Sequence, residues 1–392
     1  MTFSAAPPDS IFPPLRIKDK TLLPIVQGGM GVGISAHRLA GSVAAEHAMG
    51  TIASVDLRRH HPDLMEKTGR SRDRAAIEEA NLVALDREIC AAQKIASGRG
   101  MIAVNVMRAV TQYIDYVQQS CKSGAEAIVM GAGLPLDLPE MTKDFPKVAL
   151  IPILSDVRGV VLLLKKWMRR NRLPDAIVIE HPKHAGGHLG AAKKEDIGDA
   201  RFDFSTVIPG VLEAFEKMGL AQEKIPLIPA GGINSHQQVK ELIGMGASAV
   251  QLGTAFAVSE ESDADIEFKK VLAQARKQDV VEFMSCSGLP ARAVKTPWLE
   301  KYLRREEKLQ AATNTNHKCT LAWECLLQCG LRDGIAKFGQ FCIDNQLAAA
   351  VRGDVEKGLF FRGSETLPFG SAIRPVRELI QYLLTGEKPQ LA

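Results

Sequence analysis

Two stretches decide how this chain is read: Ile225-Pro-Leu-Ile-Pro-Ala-Gly231-Gly232-Ile233-Asn234 and Gly246-Ala-Ser-Ala-Val-Gln251-Leu252-Gly253-Thr254. In each, a short apolar run passes straight into glycine. Glycine lets the main chain approach an anion closely, so bare N–H groups at two successive strand ends can surround a phosphate. In an α/β barrel the usual phosphate site lies in the loops after strands seven and eight. Taken singly, each Gly motif reads as an ordinary tight turn. Together, in this order, they read as a phosphate-binding pair.

Counting outward supports that numbering. Short, nearly continuous apolar runs occur at Pro24–Gln27, Thr51–Val55, Met101–Val106, Ala127–Met130, Val148–Leu154, Ala176–Ile179, Pro226–Pro229 and Ala249–Leu252. Such runs suit parallel strands covered on both faces. Helical patterns lie between them: Ala36–Glu46, Ala75–Ile95, Thr111–Ser123, Val157–Arg170, Phe204–Lys217 and Gln237–Gly244. This alternation predicts an α/β fold, a (β/α)8 TIM barrel. A doubly wound sheet is the competing architecture. Its best support is Gly31-x-Gly33-x-x-Ala36 after the first strand with Asp56 after the second, which imitates a dinucleotide-binding fingerprint. A lone match of that kind is weak, and the chain runs on to eight strands.

The expected organisation is an N-terminal extension (1–20), a barrel (21–300) and a C-terminal, mostly helical, cysteine-containing appendage (301–392). Residues 56–74 and 182–203 read as long loops at the C-terminal face of the strands, where barrel active sites sit.

Composition narrows the function class. The chain has 392 residues, 46% hydrophobic and 24% charged, the balance of a globular protein. A net charge of +4 and 5% aromatics argue against a nucleic-acid partner. No apolar run reaches the roughly 18 residues of a membrane span, and the N-terminus lacks a signal-peptide core. The expectation is a cytoplasmic protein acting on a small molecule. A homodimer is carried as the expected assembly, though no residue pattern fixes it.

After the sixth strand comes Glu180-His181-Pro-Lys-His184-Ala-Gly186-Gly187-His188. The four-residue spacing of His184 and His188 hints at a metal pair on a helix. Two intervening glycines oppose that helix. The better reading is a flexible Gly-Gly turn that brings His188 to a pocket, where an imidazole can exchange a proton near neutral pH. A loop histidine with no role is the plain alternative.

The set QGGMGVGIS (27–35), Val104-Asn105, AGGH (185–188), PAGGI (229–233) and QLGT (251–254) resembles the nitronate monooxygenase family, formerly 2-nitropropane dioxygenase. It is also similar to the related flavin-dependent enoyl-acyl-carrier-protein reductases. The likeness covers about residues 20–300, including Gly288-Leu-Pro-Ala-Arg292-Ala. It implies an FMN-containing TIM barrel. Gly29, Met30 and Gly31 would line the isoalloxazine and Asn105 would contact the flavin. Gly187, Gly231, Gly232, Gly253 and Thr254 would surround the ribityl phosphate, with Gln251 beside the cofactor. His188 matches the family's active-site base, which deprotonates neutral nitroalkanes. The implied reaction oxidises alkyl nitronates with oxygen to a carbonyl compound and nitrite.

The chain departs from the family pattern at two points. Gln27-Gly28-Gly29-Met30 stands where many nitronate monooxygenases carry an Ala-Pro-Met type motif, and is nearer the enoyl reductases. The tail beyond about residue 300 is also longer. Both leave the substrate open, so an NAD(P)H-dependent enoyl-thioester reductase and a quinone reductase remain alternatives. A flavin-binding accessory protein or sensor is the reading from another class.

The seven cysteines divide along the same line. Cys90 and Cys121 read as small buried residues of helices, and Cys286 as structural. Cys319-x5-Cys325-x3-Cys329-x12-Cys342 is dense enough for an iron–sulfur cluster or zinc, although its spacing fits no common zinc or ferredoxin motif. Free buried thiols are the alternative.

Overall fold

The computed structural model describes residues 10–313 and 323–389. Eight parallel strands close into a barrel: β1 Ile25–Gln27, β2 Met49–Ala53, β3 Met101–Met107, β4 Ala127–Gly131, β5 Ala149–Leu154, β6 Ile177–Glu180, β7 Leu227–Ala230 and β8 Val250–Leu252. Closure runs through β8 and β1, with Val250, Gln251 and Leu252 opposite Ile25, Val26 and Gln27. The doubly wound alternative is therefore excluded. Asp56, its would-be ribose ligand, is fully buried and paired with Arg58 and Arg59.

The strands are short and apolar because both faces are covered. Inside the barrel, Val26, Met49, Ala103, Val129, Ile151, Val178 and Ile228 share one cluster with Leu15, Ile17 and Leu22. The last three belong to an antiparallel hairpin, Leu15–Ile17 with Lys20–Leu22. Where the β1–β2 ladder is reduced to one register pair, the buried Gln27 amide completes it. Gln27 Oε1 accepts from Thr51 N at 2.8 Å, and Nε2 donates to Thr51 O at 3.1 Å.

The outer helices bury one stripe each. Val157–Met168 starts at Asp156, whose carboxylate accepts from Gly159 N at 2.7 Å. It buries Val160, Leu163, Leu164 and Trp167 at helical spacing. Phe204–Lys217 has the bounds its periodicity predicts. Residues 56–74 differ from the loop expectation. They hold a 3-10 turn, Leu57–His60, and a helix, Pro62–Thr68, whose proline at the first turn needs no N–H partner.

Beyond residue 300, the regular elements among the described residues are helices, the longest being Ile343–Val351 and Val376–Thr385. This segment is tied to the barrel by charge. Arg59, on the connection after β2, pairs with Asp56 and, at 2.6 Å, with Asp344 of the helix Ile343–Val351. Both carboxylates are buried. Breaking a buried pair leaves uncompensated charge, so Arg59→Leu is expected to cost about 3–5 kcal/mol of stability. Urea denaturation of the two proteins measures it, and a loss below about 1 kcal/mol contradicts the assignment.

Candidate active site

The C-terminal ends of the strands open into a cavity of about 610 Å³. Gly29, Met30, Gly31, Asn105, Gly187, His188, Gly231, Gly232, Gln251, Gly253 and Thr254 all line it. Residues far apart in the chain thus meet because each follows or ends a barrel strand.

Close backbone packing explains the glycines. A Cβ on Gly29 would collide with the Asn105 side chain, so the chain leaving β1 lies against Asn105 of β3 only with glycine there. Gly231 and Gly232, directly after β7, have φ of +106° and +76°. A Cβ on Gly232 would stand 2.8 Å from the Cβ of His184. Both glycines line the cavity as bare main chain packed against the loop after β6. Gly253 and Thr254 follow β8 beside them, and Thr254 Oγ1 accepts from Gly363 N at 3.0 Å. The Gln251 side chain lies over Gly28, and Met30 Sδ faces Gly253.

The histidine loop is held rather than flexible. Gly187 and His188 pair in antiparallel register with Arg292 and Ala291 of the strand Pro290–Val294, which also pairs with Val280–Met284. Arg292, buried within the Gly288–Ala293 motif, donates to Pro182 O at 3.2 Å and also to Ala185 O. Its other nitrogen pairs with Glu282 at 2.6 Å. One guanidinium thereby fixes both carbonyls of the loop that carries His188.

His188 Nε2 lies 2.9 Å from Ser285 Oγ and 3.0 Å from Ser287 Oγ. Its ring meets Phe361 edge-on at 5.8 Å. Burial pushes its pKa down to about 4, so the ring is neutral at pH 7. Either serine hydroxyl can accept from Nε2 or donate to it, so both tautomers of the neutral ring satisfy this pair. His184 turns elsewhere: its Nδ1 lies 2.9 Å from Glu365 Oε1. Burial opposes ionisation of Glu365, but hydrogen bonds from Ser364 and His184 overcome it and hold the carboxyl below its usual range. His181 is buried, contacts Asp203 at 3.2 Å, and has its pKa pushed down to about 4, chiefly by burial. The two histidines four apart thus serve different partners, and the metal-pair alternative falls.

Several site residues carry no motif. Glu180 ends β6 and lines the cavity, and burial pushes its carboxyl up to about 7. Its position at a strand end is a signal that sequence reading could have used. Ser285 and Ser287 sit in a turn whose direction no periodicity reveals. Phe361, Gly363, Glu365, Thr366 and Leu367 come from the tail and line the same cavity.

The cysteines depart from the metal expectation. Cys319 lies outside the described residues. Cys325 and Cys329 are buried, and Cys342 precedes the helix Ile343–Val351. Among the described residues, no group of three or more His, Cys, Asp or Glu side chains is placed to hold a metal ion. The iron–sulfur or zinc expectation gains no support. The Cys329 thiol meets that of Cys286, in the turn between Val280–Met284 and Pro290–Val294.

A family model described as nitronate monooxygenase matches residues 14–386. A probable nitronate monooxygenase of Bacillus subtilis is 28% identical over 289 residues, which cover 71% of this chain and 78% of that protein. A nitronate monooxygenase of Pseudomonas aeruginosa is 33% identical over 120 residues, 31% of each chain. Among solved structures, FabK from Thermotoga maritima aligns with a TM-score of 0.62 at 22% identity, covering 94% of this chain and 92% of that one. Nitroalkane oxidase from Streptomyces ansochromogenes aligns with a TM-score of 0.60 at 18% identity, covering 92% and 94%. At these identities the structural likeness is one of fold. No helix among the described residues is long and apolar enough to cross a membrane.

Proposed function

Because the chain belongs to the nitronate monooxygenase family, we propose that it is an FMN-dependent oxidoreductase that oxidises alkyl nitronates with oxygen to a carbonyl compound and nitrite, with His188 as its active-site base. The observation that carries this reading is the shared cavity. It sets a neutral imidazole on the same walls as the glycine-bearing ends of β7 and β8.

The residues fit FMN. The main chain after β7 and β8 (Gly231, Gly232, Gly253, Thr254) suits a phosphate, and Gly187 borders it. Gly29, Met30 and Gly31 offer a flat backbone edge with one thioether for the ring, Asn105 lies against Gly29, and Gln251 covers the adjacent Gly28. Bound there, FMN supplies the redox chemistry. The protein's part is to orient a substrate, exclude water and move one proton. In the tautomer whose Nε2–H is held by Ser285 or Ser287, Nδ1 of His188 accepts the proton from the carbon next to a nitro group. Phe361 packs on the ring and limits its rotation.

The test is oxygen uptake and nitrite release by the FMN-loaded protein with ethylnitronate or propionate 3-nitronate. Turnover of both is expected without NAD(P)H. No turnover at full FMN loading rejects the reading, and NAD(P)H oxidation coupled to crotonyl-thioester or quinone reduction would replace it with a reductase on the same barrel.

A further inference from the structure

Cys286 belongs to the turn Ser285–Gly288, between the two serines that hold His188. Across from it lies Cys329, in the segment beyond residue 300. The two thiols are hydrogen-bonded to each other, and Gly330 N donates to Cys286 O at 2.7 Å. Gly339 N donates to Ser285 O at 2.9 Å, so the two segments are laced on both sides of the thiol pair. Cys325 stands near enough to act on Cys286 and also lines the cavity. Cys286 is fully buried and Cys329 is 8% exposed, so Cys329 is the thiol of the pair that a small molecule can reach.

We propose that Cys286 and Cys329 are an oxidation site for small peroxides, closing a disulfide between the turn that positions His188 and the C-terminal segment. The asymmetry of the pair suits the chemistry. The Cys286 S–H, the N–H groups of Arg332 and Leu331 and the Arg332 charge hold the Cys329 thiol below its usual range, against burial. The Cys286 thiol is pushed well up by its hydrogen bond to Cys329 and by burial. Cys329, the less buried member of the pair and the more acidic, is the nucleophile, and the fully buried Cys286 is the resolving thiol.

The Cys329 thiolate attacks the peroxide O–O bond, giving a sulfenic acid and releasing hydroxide, which takes up a proton as water. Cys286 sulfur then displaces the sulfenic hydroxyl, which leaves with the Cys286 proton as a second water. Two thiols lose two electrons in total, and hydrogen peroxide is reduced to two waters. The new bond draws Cys286 toward Cys329 and moves Ser285 and Ser287 against His188. Only this last effect rests on the proposed role of His188, since the thiol chemistry is read without it.

The test uses full-length, flavin-loaded protein, reduced, freed of reductant without air, and treated with one equivalent of hydrogen peroxide. Free thiols are alkylated and peptides are mapped by mass. The expected product is one peptide pair joined through Cys286 and Cys329, reopened by dithiothreitol. Turnover should fall by roughly tenfold or more on oxidation and recover on reduction. Cys329→Ser should keep its activity before peroxide, form no joined peptide and resist the inhibition. Recovery of both cysteines as separate alkylated peptides, a bond to a different cysteine, or zinc or iron that shields both thiols until chelated would each overturn the proposal. The peptide map reads the bond even in a protein that fails to oxidise nitronates, so the two proposals fail separately.

Discussion

His188→Ala is expected to lower kcat/KM for a neutral nitroalkane by about 10²–10⁴-fold, the usual contribution of a positioned base. The same variant should lose far less with a pre-formed nitronate, which no longer needs a proton removed. That contrast separates a base from a residue that only shapes the cavity. The pH profile carries the sign. Burial pushes His188 down to about 4, and the neutral ring is the active form. Activity on the neutral nitroalkane should therefore be level across neutral pH and fall only as the pH drops through about 4. A profile breaking near the unperturbed value of about 6.5 would show a solvated imidazole and contradict the packing against Phe361, Ser285 and Ser287.

The second large effect concerns cofactor retention. A Cβ on Gly253 would meet only Met30 Sδ, at 3.7 Å, so the position has room for a side chain. Gly253→Asp should fold, yet place a carboxylate beside the main chain that suits the phosphate. Like charges set together cost several kcal/mol, so FMN affinity is expected to fall by about 100-fold or more. Gly253→Ala should retain most of it. Fluorescence titration of the apoprotein with FMN gives both values. Equal binding by the two variants would move the phosphate away from β7 and β8.

The barrel was legible because its strands are apolar runs of the right length and its helices keep a 3.6-residue period. Boundaries moved by a residue or two, as at Thr51–Val55, where the strand is Met49–Ala53. Gly29, Gly231 and Gly232, which their motifs single out, line the cavity where any larger residue would collide or strain the chain. What was not legible depends on long-range packing. Nothing in the sequence of the tail announces that Phe361 meets His188, that Asp344 reaches Arg59, or that Cys329 joins Cys286. The metal expectation, one of whose residues, Cys319, lies outside the described residues, gained no support among the others. Spacing within the tail suggested a set of four cysteines, whereas the partner of Cys329 comes from the turn between Val280–Met284 and Pro290–Val294.

We propose that this cavity holds FMN and presents it to a nitronate. The most direct measurement is the visible spectrum of the purified protein, recorded without oxygen before and after ethylnitronate, with NADH in a parallel cuvette. Flavin bands that change on adding ethylnitronate and stay unchanged with NADH are the predicted result. A colourless protein that FMN does not reconstitute, or flavin bands indifferent to ethylnitronate but bleached by NADH, would contradict it.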